Sequence, residues 1–264
     1  MNRAHARTRS GSLVDSKPDL KPHTDGKDAF GAQRNHLLAC LPEPVWQRWQ
    51  AQLEDVDLPL GMVLCEPGES LTHVVFPTTA VVSLMYLTEN GRSAEIAVIG
   101  NEGMVGTWLP MGGGTTPSQD VVSIAGRGFR LPTSLLLEDF NRSAAVMHLV
   151  LRYTQALLTQ ISQMAVCNRH HSLEERLCHW LMLRLDRLES NHIAVTHELI
   201  ANMLGVRREG VTQAAGRLQK AGLIAYRRGH IEVLDRQGLQ ARSCECYRAI
   251  KSEYDRLLPE QMAT

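Results

Sequence analysis

The chain has 264 residues, of which 44% are hydrophobic, and its 28 Lys and Arg residues equal its 28 Asp and Glu residues in number. This length suits two domains with a tail, and the hydrophobic content is sufficient for ordinary cores. The sequence contains no run of about 18 apolar residues and no apolar segment after its N-terminal arginines, so neither a membrane span nor a secretion signal is predicted. We therefore expect a cytoplasmic protein whose six cysteines are reduced thiols.

The first two segments differ in composition. Residues 1–34 are rich in Ser, Lys, Arg, Asp, Pro and Gly and are predicted to form a disordered tail. Residues 35–140 are predicted to form a β-rich domain, which begins with a short helical segment. Short β-type runs then alternate with turn signals: Met62–Leu64, His73–Phe76, Ala80–Leu87, Ala94–Ile99, Val121–Ala125 and Gly128–Leu131. Their number and spacing predict a small antiparallel barrel or sandwich.

Over residues 141–170 the apolar period becomes helical, and the predicted helix has two apolar edges. The first edge consists of Val146, Val150, Tyr153, Leu157, Ile161 and Met164. The second edge consists of Met147, Leu151, Leu158 and Ala165. Such a helix can pack on its own barrel with one edge and on a second copy with the other. We assign the first edge to a dimer interface; the alternative is a helix buried within one subunit.

Residues 171–240 carry the most informative pattern. Ser172 and Glu175 have the spacing of a capping box that opens a helix. Thr196 is placed to cap a second, short helix, which Gly205 ends, and a third helix with a polar face follows. Two short strands then flank the turn at Arg227-Arg228-Gly229. This order predicts a winged helix-turn-helix, in which the helix after Gly205 enters the DNA major groove. Residues 241–264 are predicted to be a helical extension.

Local charge agrees with this interpretation. Residues 205–228 contain six basic side chains and one acidic side chain, Glu209, although the whole chain is balanced. Such an excess attracts phosphates irrespective of base sequence. The alternative is a helical hairpin whose charges form a solvated face, but that alternative does not explain why helix, turn, helix and wing occur in order.

An acidic β-barrel, a long helix and a winged helix-turn-helix in this order resemble the Crp/Fnr family of bacterial transcription regulators. The resemblance covers residues 37–240 and is strongest at residues 195–235. It implies an α+β fold, with an antiparallel β-roll or jelly-roll barrel, a long dimerisation helix and a C-terminal winged helix-turn-helix. It also implies a homodimer that binds double-stranded DNA, with RNA polymerase as a candidate further partner.

The resemblance assigns base reading to four residues: Arg208, Glu209, Thr212 and Gln213. Their chemistry agrees, because Arg can donate two hydrogen bonds to guanine and Glu can accept one from cytosine. Many relatives have Arg at the position of Gln213, whereas Gln suits adenine, so the half-site is expected to differ. Phosphate contacts are predicted for Thr196, Arg207, Arg227 and Arg228. Arg217 and Lys220 remain open between DNA contact and solvated helix charge.

The predicted sensor domain departs from the cyclic-nucleotide binders of that family. Thr107 stands where they carry a Glu for the ribose, and no basic residue lies between Arg92 and Arg127 to hold a phosphate. Ile161-Ser162 replaces their Thr-Ser pair. We therefore expect that the barrel does not bind cAMP; a nucleotide-responsive barrel and a barrel that binds nothing are the alternatives. The predicted pocket for an unidentified effector comprises Met85, Leu87, Met104, Thr107, Trp108 and Ser162.

Cysteines give a weaker signal. Residues 1–39 lack Cys, so the iron–sulfur cluster of some family members is not predicted. Cys244-x-Cys246 and Cys167-x-x-His170-His171 are the remaining thiol or metal candidates, but neither has the paired spacing of a good zinc site. Lone cysteines on helices usually pack as small hydrophobes. No metal, cofactor or catalytic residue is therefore predicted, and an enzyme or a metal or thiol sensor that uses Cys244 or Cys246 is a remote alternative.

Overall fold

The computed structural model describes residues 29–258. The helices are α1 Ala29–Ala32, α2 His36–Ala39, α3 Glu43–Gln50, α4 Thr133–Arg142, α5 Ala144–His170, α6 Leu173–Leu185, α7 His197–Leu204, α8 Arg208–Lys220, α9 Arg236–Arg242 and α10 Glu245–Leu257, with a 3₁₀ helix at Leu109–Met111. The strands are β1 Glu54–Leu58, β2 Val63–Cys65, β3 His73–Pro77, β4 Val81–Leu87, β5 Ser93–Ile99, β6 Gln119–Ile124, β7 Gly126–Pro132, β8 His192–Ala194, β9 Ile224–Arg227 and β10 His230–Val233. No helix among these residues is long and apolar enough to cross a membrane.

The predicted disordered tail falls mostly outside the described residues, which begin at residue 29. Its last part is corrected, because Ala29–Ala32 form a helix in which Ala32 is buried. The following Asn35 is fully buried, and its side chain caps α2 by accepting from the backbone amides of Leu37 and Leu38. Its amide group also donates to the carbonyls of Pro77 and Gly103, which joins the helical start of the domain to the barrel.

Two antiparallel sheets form the barrel. One has the strand order β1-β7-β3 and the other the order β2-β6-β4-β5. Apolar side chains of both sheets meet in one buried cluster, which includes Val56 on β1 and Val82 on β4. The predicted antiparallel β-roll is therefore confirmed, with one strand, β1, in addition to those that the sequence pattern predicts.

The long helix is preceded by a break at Ser143, whose extended backbone separates α4 from α5 and whose side chain caps α5. The predicted helix over residues 141–170 is thus observed as Ala144–His170. Five residues of its first apolar edge are buried within the chain, namely Val146, Val150, Tyr153, Leu157 and Met164, while Ile161 is partly buried. The assignment of this edge to a dimer interface is therefore wrong, because the barrel and α10 already cover it.

The second apolar edge of α5 is the exposed one. Leu151 is 46% exposed and Leu158 57% exposed, and Ala165 is exposed on the same side of the helix. Helix α10, in the predicted C-terminal extension, packs against α5 and α6 through Tyr247, Ile250 and Tyr254. The long helix thus buries one edge in its own chain and leaves the other open.

Helix α6 holds the C-terminal part against the barrel. Its capping box is present as predicted: Ser172 accepts from the backbone amide of Glu175, and the Glu175 carboxylate accepts from the backbone amide of Ser172. Arg184 on α6 forms a buried ion pair with Glu95 on β5, and Arg187 forms one with Glu102, 2.7 Å apart. Helix α7 also packs on β5. The barrel and the C-terminal part therefore share buried charged contacts.

Candidate nucleic-acid interface

Helix α7, the first of the predicted motif, has a cap at each end. The Thr196 hydroxyl accepts a hydrogen bond from the Leu199 amide at 3.2 Å, and Gly205 takes a left-handed conformation with φ 64°. Ile200, Met203 and Leu204 are buried. The predicted cap and turn are thereby confirmed. A left-handed residue ends a helix sharply, so the chain can start α8 three residues later at a new angle.

Helix α8 has a buried face and an exposed face. Val211, Ala214, Ala215 and Leu218 are buried against the rest of the C-terminal part. All four residues predicted to read bases, Arg208, Glu209, Thr212 and Gln213, are exposed on the other face. The helix has 13 residues, which corresponds to roughly 20 Å, and the major groove of B-DNA is about 12 Å wide. Its dimensions and its polar face therefore suit insertion into that groove.

The four exposed residues differ in how they are engaged within the chain. Arg208 lies 4.0 Å from the Glu198 carboxylate, and both side chains are exposed, so this pair is weak. The Thr212 hydroxyl donates to the Arg208 carbonyl and lies 3.1 Å from Nδ1 of His197. Within residues 29–258, no side-chain hydrogen bond or ion pair engages Glu209 or Gln213. Arg208, Glu209 and Gln213 are thus better placed to contact a ligand than Thr212.

His197 is a structural residue of this surface that the sequence analysis missed. Its ring stacks on the ring of Tyr226 with 3.9 Å between centroids and 21° between planes. Burial, and secondarily the charge of Arg208, lower the pKa of His197. The neutral ring therefore joins the start of α7, the exposed face of α8 and strand β9. A lone His beside a cap residue gives no sequence signal for this role.

The wing is a tight hairpin with a third strand at its side. Strands β9 and β10 pair with His230 opposite Arg227, which leaves Arg228 and Gly229 as a two-residue turn. Both have positive φ angles, 44° and 85°, as a type I′ turn requires. Strand β8, which the sequence analysis did not predict, pairs with β10. The hairpin projects the exposed side chains of Arg227 and Arg228 from its tip.

The cations near this surface fall into two groups. Arg207, Arg227 and Arg228 are exposed, and none of them forms an ion pair within residues 29–258. Arg207 also precedes the first turn of α8, where backbone amides favour an anion. Arg217, in contrast, pairs at 2.6 Å with Glu174, a carboxylate that Arg242 shares. Thr196 is exposed, although its hydroxyl oxygen serves the cap of α7.

The residues predicted to line the effector pocket do not lie around one cavity. Met104 and Thr107 are buried, and the Thr107 hydroxyl donates to the Met104 carbonyl. Leu87 is 51% exposed, and Ser162 is exposed with its hydroxyl bound to the Leu158 carbonyl of its own helix. Met85 is buried in the main core, against which Trp108 packs. The pocket prediction is therefore wrong, because its residues are distributed between the core and the outer surface.

The loop at Gly100–Glu102 instead borders a different cavity. A cavity of about 440 Å³ lies between this loop, α6 and α10, and Glu102, Arg187, Lys251 and Tyr254 are among its lining residues. Arg187 lies in the turn that follows α6 and donates to the Glu102 carboxylate. The loop region itself contains no cation, and Arg187, which is distant from it in sequence, is already paired with a carboxylate.

The structure also brings the cysteine candidates together. The sulfur atoms of Cys167 and Cys244 lie 3.5 Å apart, and Cys246 lies 3.7 Å from Nδ1 of His171. A hydrogen bond from Cys167, and secondarily the neighbouring His179, lower the pKa of the Cys244 thiol. Burial raises the pKa of Cys246 to about 12. The two motifs, separated widely in sequence, thus form one cluster.

Comparisons with known proteins bear on both parts of the chain. Residues 175–242, which contain α7, α8 and the wing, match the Crp-like helix-turn-helix domain family. No curated protein matches the sequence significantly. The chain therefore carries a Crp-like helix-turn-helix domain at this surface.

Solved structures share the wider fold. A protein of Eubacterium rectale assigned to the Crp/Fnr transcriptional regulators has a TM-score of 0.62 and 18% identity over 80% of this chain and 98% of its own. FixK2 of Bradyrhizobium japonicum has a TM-score of 0.62 and 18% identity, covering 73% of this chain and 98% of its own. The c-di-GMP-responsive regulator CLP of Xanthomonas campestris has a TM-score of 0.54 and 14% identity, covering 73% of this chain and 99% of its own. The barrel, long helix and C-terminal domain thus have the fold of Crp/Fnr transcription regulators.

Proposed function

We propose that this chain, with its Crp-like helix-turn-helix domain and Crp/Fnr fold, is a transcription regulator that binds a two-fold symmetric DNA site as a homodimer. The observation that carries the proposal is the exposed polar face of α8 beside the unpaired cations of the wing. A helix with this face can contact base edges, while cations at its start and beside it hold the phosphates.

Base reading falls to Arg208, Glu209 and Gln213, with Thr212 in a supporting position. Arg208 is suited to guanine, Glu209 to cytosine and Gln213 to adenine. Each well-formed bidentate contact contributes about 1–3 kcal/mol of discrimination. Arg207, Arg227 and Arg228 contact phosphates, because they are exposed cations without an internal partner in the described part of the chain. Thr196, which lies at the start of α7, also contacts the DNA phosphates.

The second apolar edge of α5 forms the dimer interface. Met147, Leu151, Leu158 and Ala165 recur at helical spacing on one side of α5, and an exposed apolar stripe of this kind buries itself in a partner helix. Two copies related by a two-fold axis would present two α8 helices to half-sites about one DNA turn apart. The dimer thereby supports recognition of a symmetric site.

The barrel transmits a signal to the DNA-binding domain and does not bind cAMP. Thr107 replaces the Glu expected of a cyclic-nucleotide binder, and Arg187, which lies beside the Gly100–Glu102 loop, already pairs with Glu102. A cyclic phosphate would have to displace that carboxylate to bind the Arg187 guanidinium. The buried contacts of α6 with β5 and with this loop provide a route by which a change in the barrel shifts the DNA-binding domain.

The proposal is tested by fluorescence anisotropy of the full chain with duplex DNA at several salt concentrations. Neutralised phosphates make the logarithm of the binding constant fall linearly with that of salt concentration, by about 0.9 per phosphate. We expect Arg228→Ala to reduce the slope by roughly two for a dimer, one contact from each subunit. Arg92→Ala, on the barrel, is the matched control and should leave the slope unchanged. Equal slopes for all three proteins would overturn the assignment of the wing to DNA.

A further inference from the structure

Four side chains from two distant segments converge beside the hinge between α5 and α6. Cys167 lies in the last turn of α5, and His171 follows that helix directly. Cys244 directly precedes α10, and Cys246 lies in the first turn of that helix. One ligand atom from each of these residues lies within 4.8 Å of all the others. All three cysteines are buried, and they form a small cluster separate from the main apolar cores.

We propose that Cys167, His171, Cys244 and Cys246 bind a single divalent transition-metal ion of the zinc type. Three thiolates and one imidazole form a complete tetrahedral ligand set, as in structural zinc sites, which have no open position. Ideal Zn–S bonds of about 2.3 Å place two sulfur ligands roughly 3.8 Å apart. The observed distances of 3.5 Å between Cys167 and Cys244 and 3.7 Å between Cys246 and His171 are close to this requirement.

The arrangement differs from that of ordinary buried cysteines. A lone thiol in a core packs as a small hydrophobe and needs no polar partner. Here three thiols and an imidazole nitrogen meet, although 77 residues separate Cys167 from Cys244 in sequence. A disulfide between these two would leave Cys246 and His171 without a role. An iron–sulfur cluster also does not fit, because it contains at least two iron atoms, and ligands on different irons must stand farther apart than the 4.8 Å within which these four atoms lie.

Neighbouring groups orient the ligands in the manner of known metal sites. Nε2 of His171 lies 3.3 Å from the Glu245 carboxylate, so the ring directs its other nitrogen towards Cys246. A carboxylate behind a ligating histidine is the usual arrangement at zinc sites. Nδ1 of the buried His179 lies 3.3 Å from the Cys167 sulfur and 3.7 Å from the Cys244 sulfur, where it can donate to a thiolate. His179 is therefore a positioning residue in this account.

The ion would fasten the end of the long helix to the start of α10. These two points flank Ser172, the cap of α6, which leads towards the DNA-binding domain. The four ligands come from two segments that are brought together only in the folded chain, so bound metal should stabilise the folded state. This role is independent of DNA recognition.

The metal content of the full chain, purified under reducing conditions without chelator, tests the proposal. We expect one zinc ion per chain by elemental analysis. Cobalt(II) loading of the apoprotein should give the charge-transfer and intense d–d absorption bands of tetrahedral thiolate ligation. Cys244→Ser and Cys246→Ser should lose both signals, whereas Cys40→Ser, at a half-buried thiol outside the cluster, should retain them.

Three further variants distinguish loss of the metal site from misfolding. Glu245 is mostly exposed, so Glu245→Gln should fold normally and bind metal about 10–100-fold more weakly. His171→Ala should abolish tetrahedral cobalt bands, whereas His179→Ala should retain them in altered form. Wild-type protein without metal and without cobalt bands would overturn the proposal, as would a native Cys167–Cys244 disulfide or full metal content in Cys244→Ser. All readouts are taken without DNA, so their failure would leave the proposed DNA binding standing.

Discussion

The guanidinium of Arg184 on α6 lies 2.5 Å from the carboxylate of Glu95 on β5, and both side chains are almost completely buried. The carboxylate also accepts from the Ser83 hydroxyl, and the guanidinium lies over the Trp180 ring at 3.5 Å. A charged pair thus sits inside the contact between the barrel and the helix that leads to the DNA-binding domain. Removing one partner leaves an uncompensated charge in a place that water does not reach.

Glu95→Ala is therefore expected to destabilise the chain by about 3–5 kcal/mol in chemical denaturation. Replacing both partners, Glu95→Leu with Arg184→Met, should destabilise it less than either single change, because no buried charge remains. Arg142→Ala, which removes an exposed pair with Glu138, is the control and should change stability by less than about 1 kcal/mol. A double variant as unstable as the sum of the single ones would contradict this account.

Arg228 occupies a backbone conformation that suits glycine or asparagine, with φ 44°. Arg228→Gly should relieve this strain and raise the free energy of unfolding by up to about 1 kcal/mol. The same change should weaken binding to every DNA sequence alike, because it removes a phosphate contact. Arg228→Lys keeps the charge and should retain most of the affinity. The prediction fails if the Gly variant binds DNA as tightly as the wild type.

Asp120 on β6 is fully buried, and burial raises its pKa to about 7 despite a hydrogen bond from Ser118. The ordinary value of about 3.9 applies in the unfolded chain, so between these values the folded state binds more protons. Stability should therefore fall as the pH rises from about 4 to 7, by on the order of 4 kcal/mol in total. Asp120→Asn should flatten this dependence, whereas Asp57→Asn, at an exposed carboxylate, should not. If the free energy of unfolding of the wild type and of Asp120→Asn changes in parallel with pH, Asp120 is not the cause of the pH dependence.

Leu158 is the most exposed leucine of the long helix, at 57%. Leu158→Asp places a charge in the proposed interface and should convert a dimer to a monomer in sedimentation experiments. Thr159→Asp introduces the same charge about a quarter-turn away and should leave the dimer intact. Circular dichroism would show whether both variants keep their helical content. If the wild type is a monomer, or if the Leu158→Asp variant remains a dimer, the second apolar edge of α5 is not the dimer interface.

Sequence patterns predicted the C-terminal domain almost completely, because its local signals agree with one another. Thr196 caps the start of α7, Gly205 ends that helix in a left-handed conformation, and the apolar spacing of α8 leaves one polar face. Strand β1 was missed because its alternating acidic residues are disfavoured in strands. Two of its three carboxylates are compensated across the sheet, where Glu54 pairs with Arg130 and Asp55 with Arg127. Cross-strand partners of this kind are invisible until the strands are aligned.

Tertiary contacts decided the remaining points. The two apolar edges of α5 look equivalent in sequence, and only the packing of the barrel and α10 determines which edge is covered. Arg187 was missed near the Gly100–Glu102 loop because it lies in the turn after α6, 85 residues away from its partner Glu102. The cysteine cluster was missed for the same reason, since each of its two motifs supplies only half of a ligand set.

Selection of duplexes from randomised DNA by the full-length chain tests the central claim most directly. The wild type should enrich two inverted half-sites about one helical turn apart, 10–10.5 base pairs between centres. Arg208→Ala should relax preference at one position of each half-site while keeping the spacing, and Arg228→Ala should keep the same sequence at lower affinity. Enrichment of no symmetric sequence, or the same change in base preference for both variants, would contradict the assignment of α8 to base reading and of the wing to phosphates.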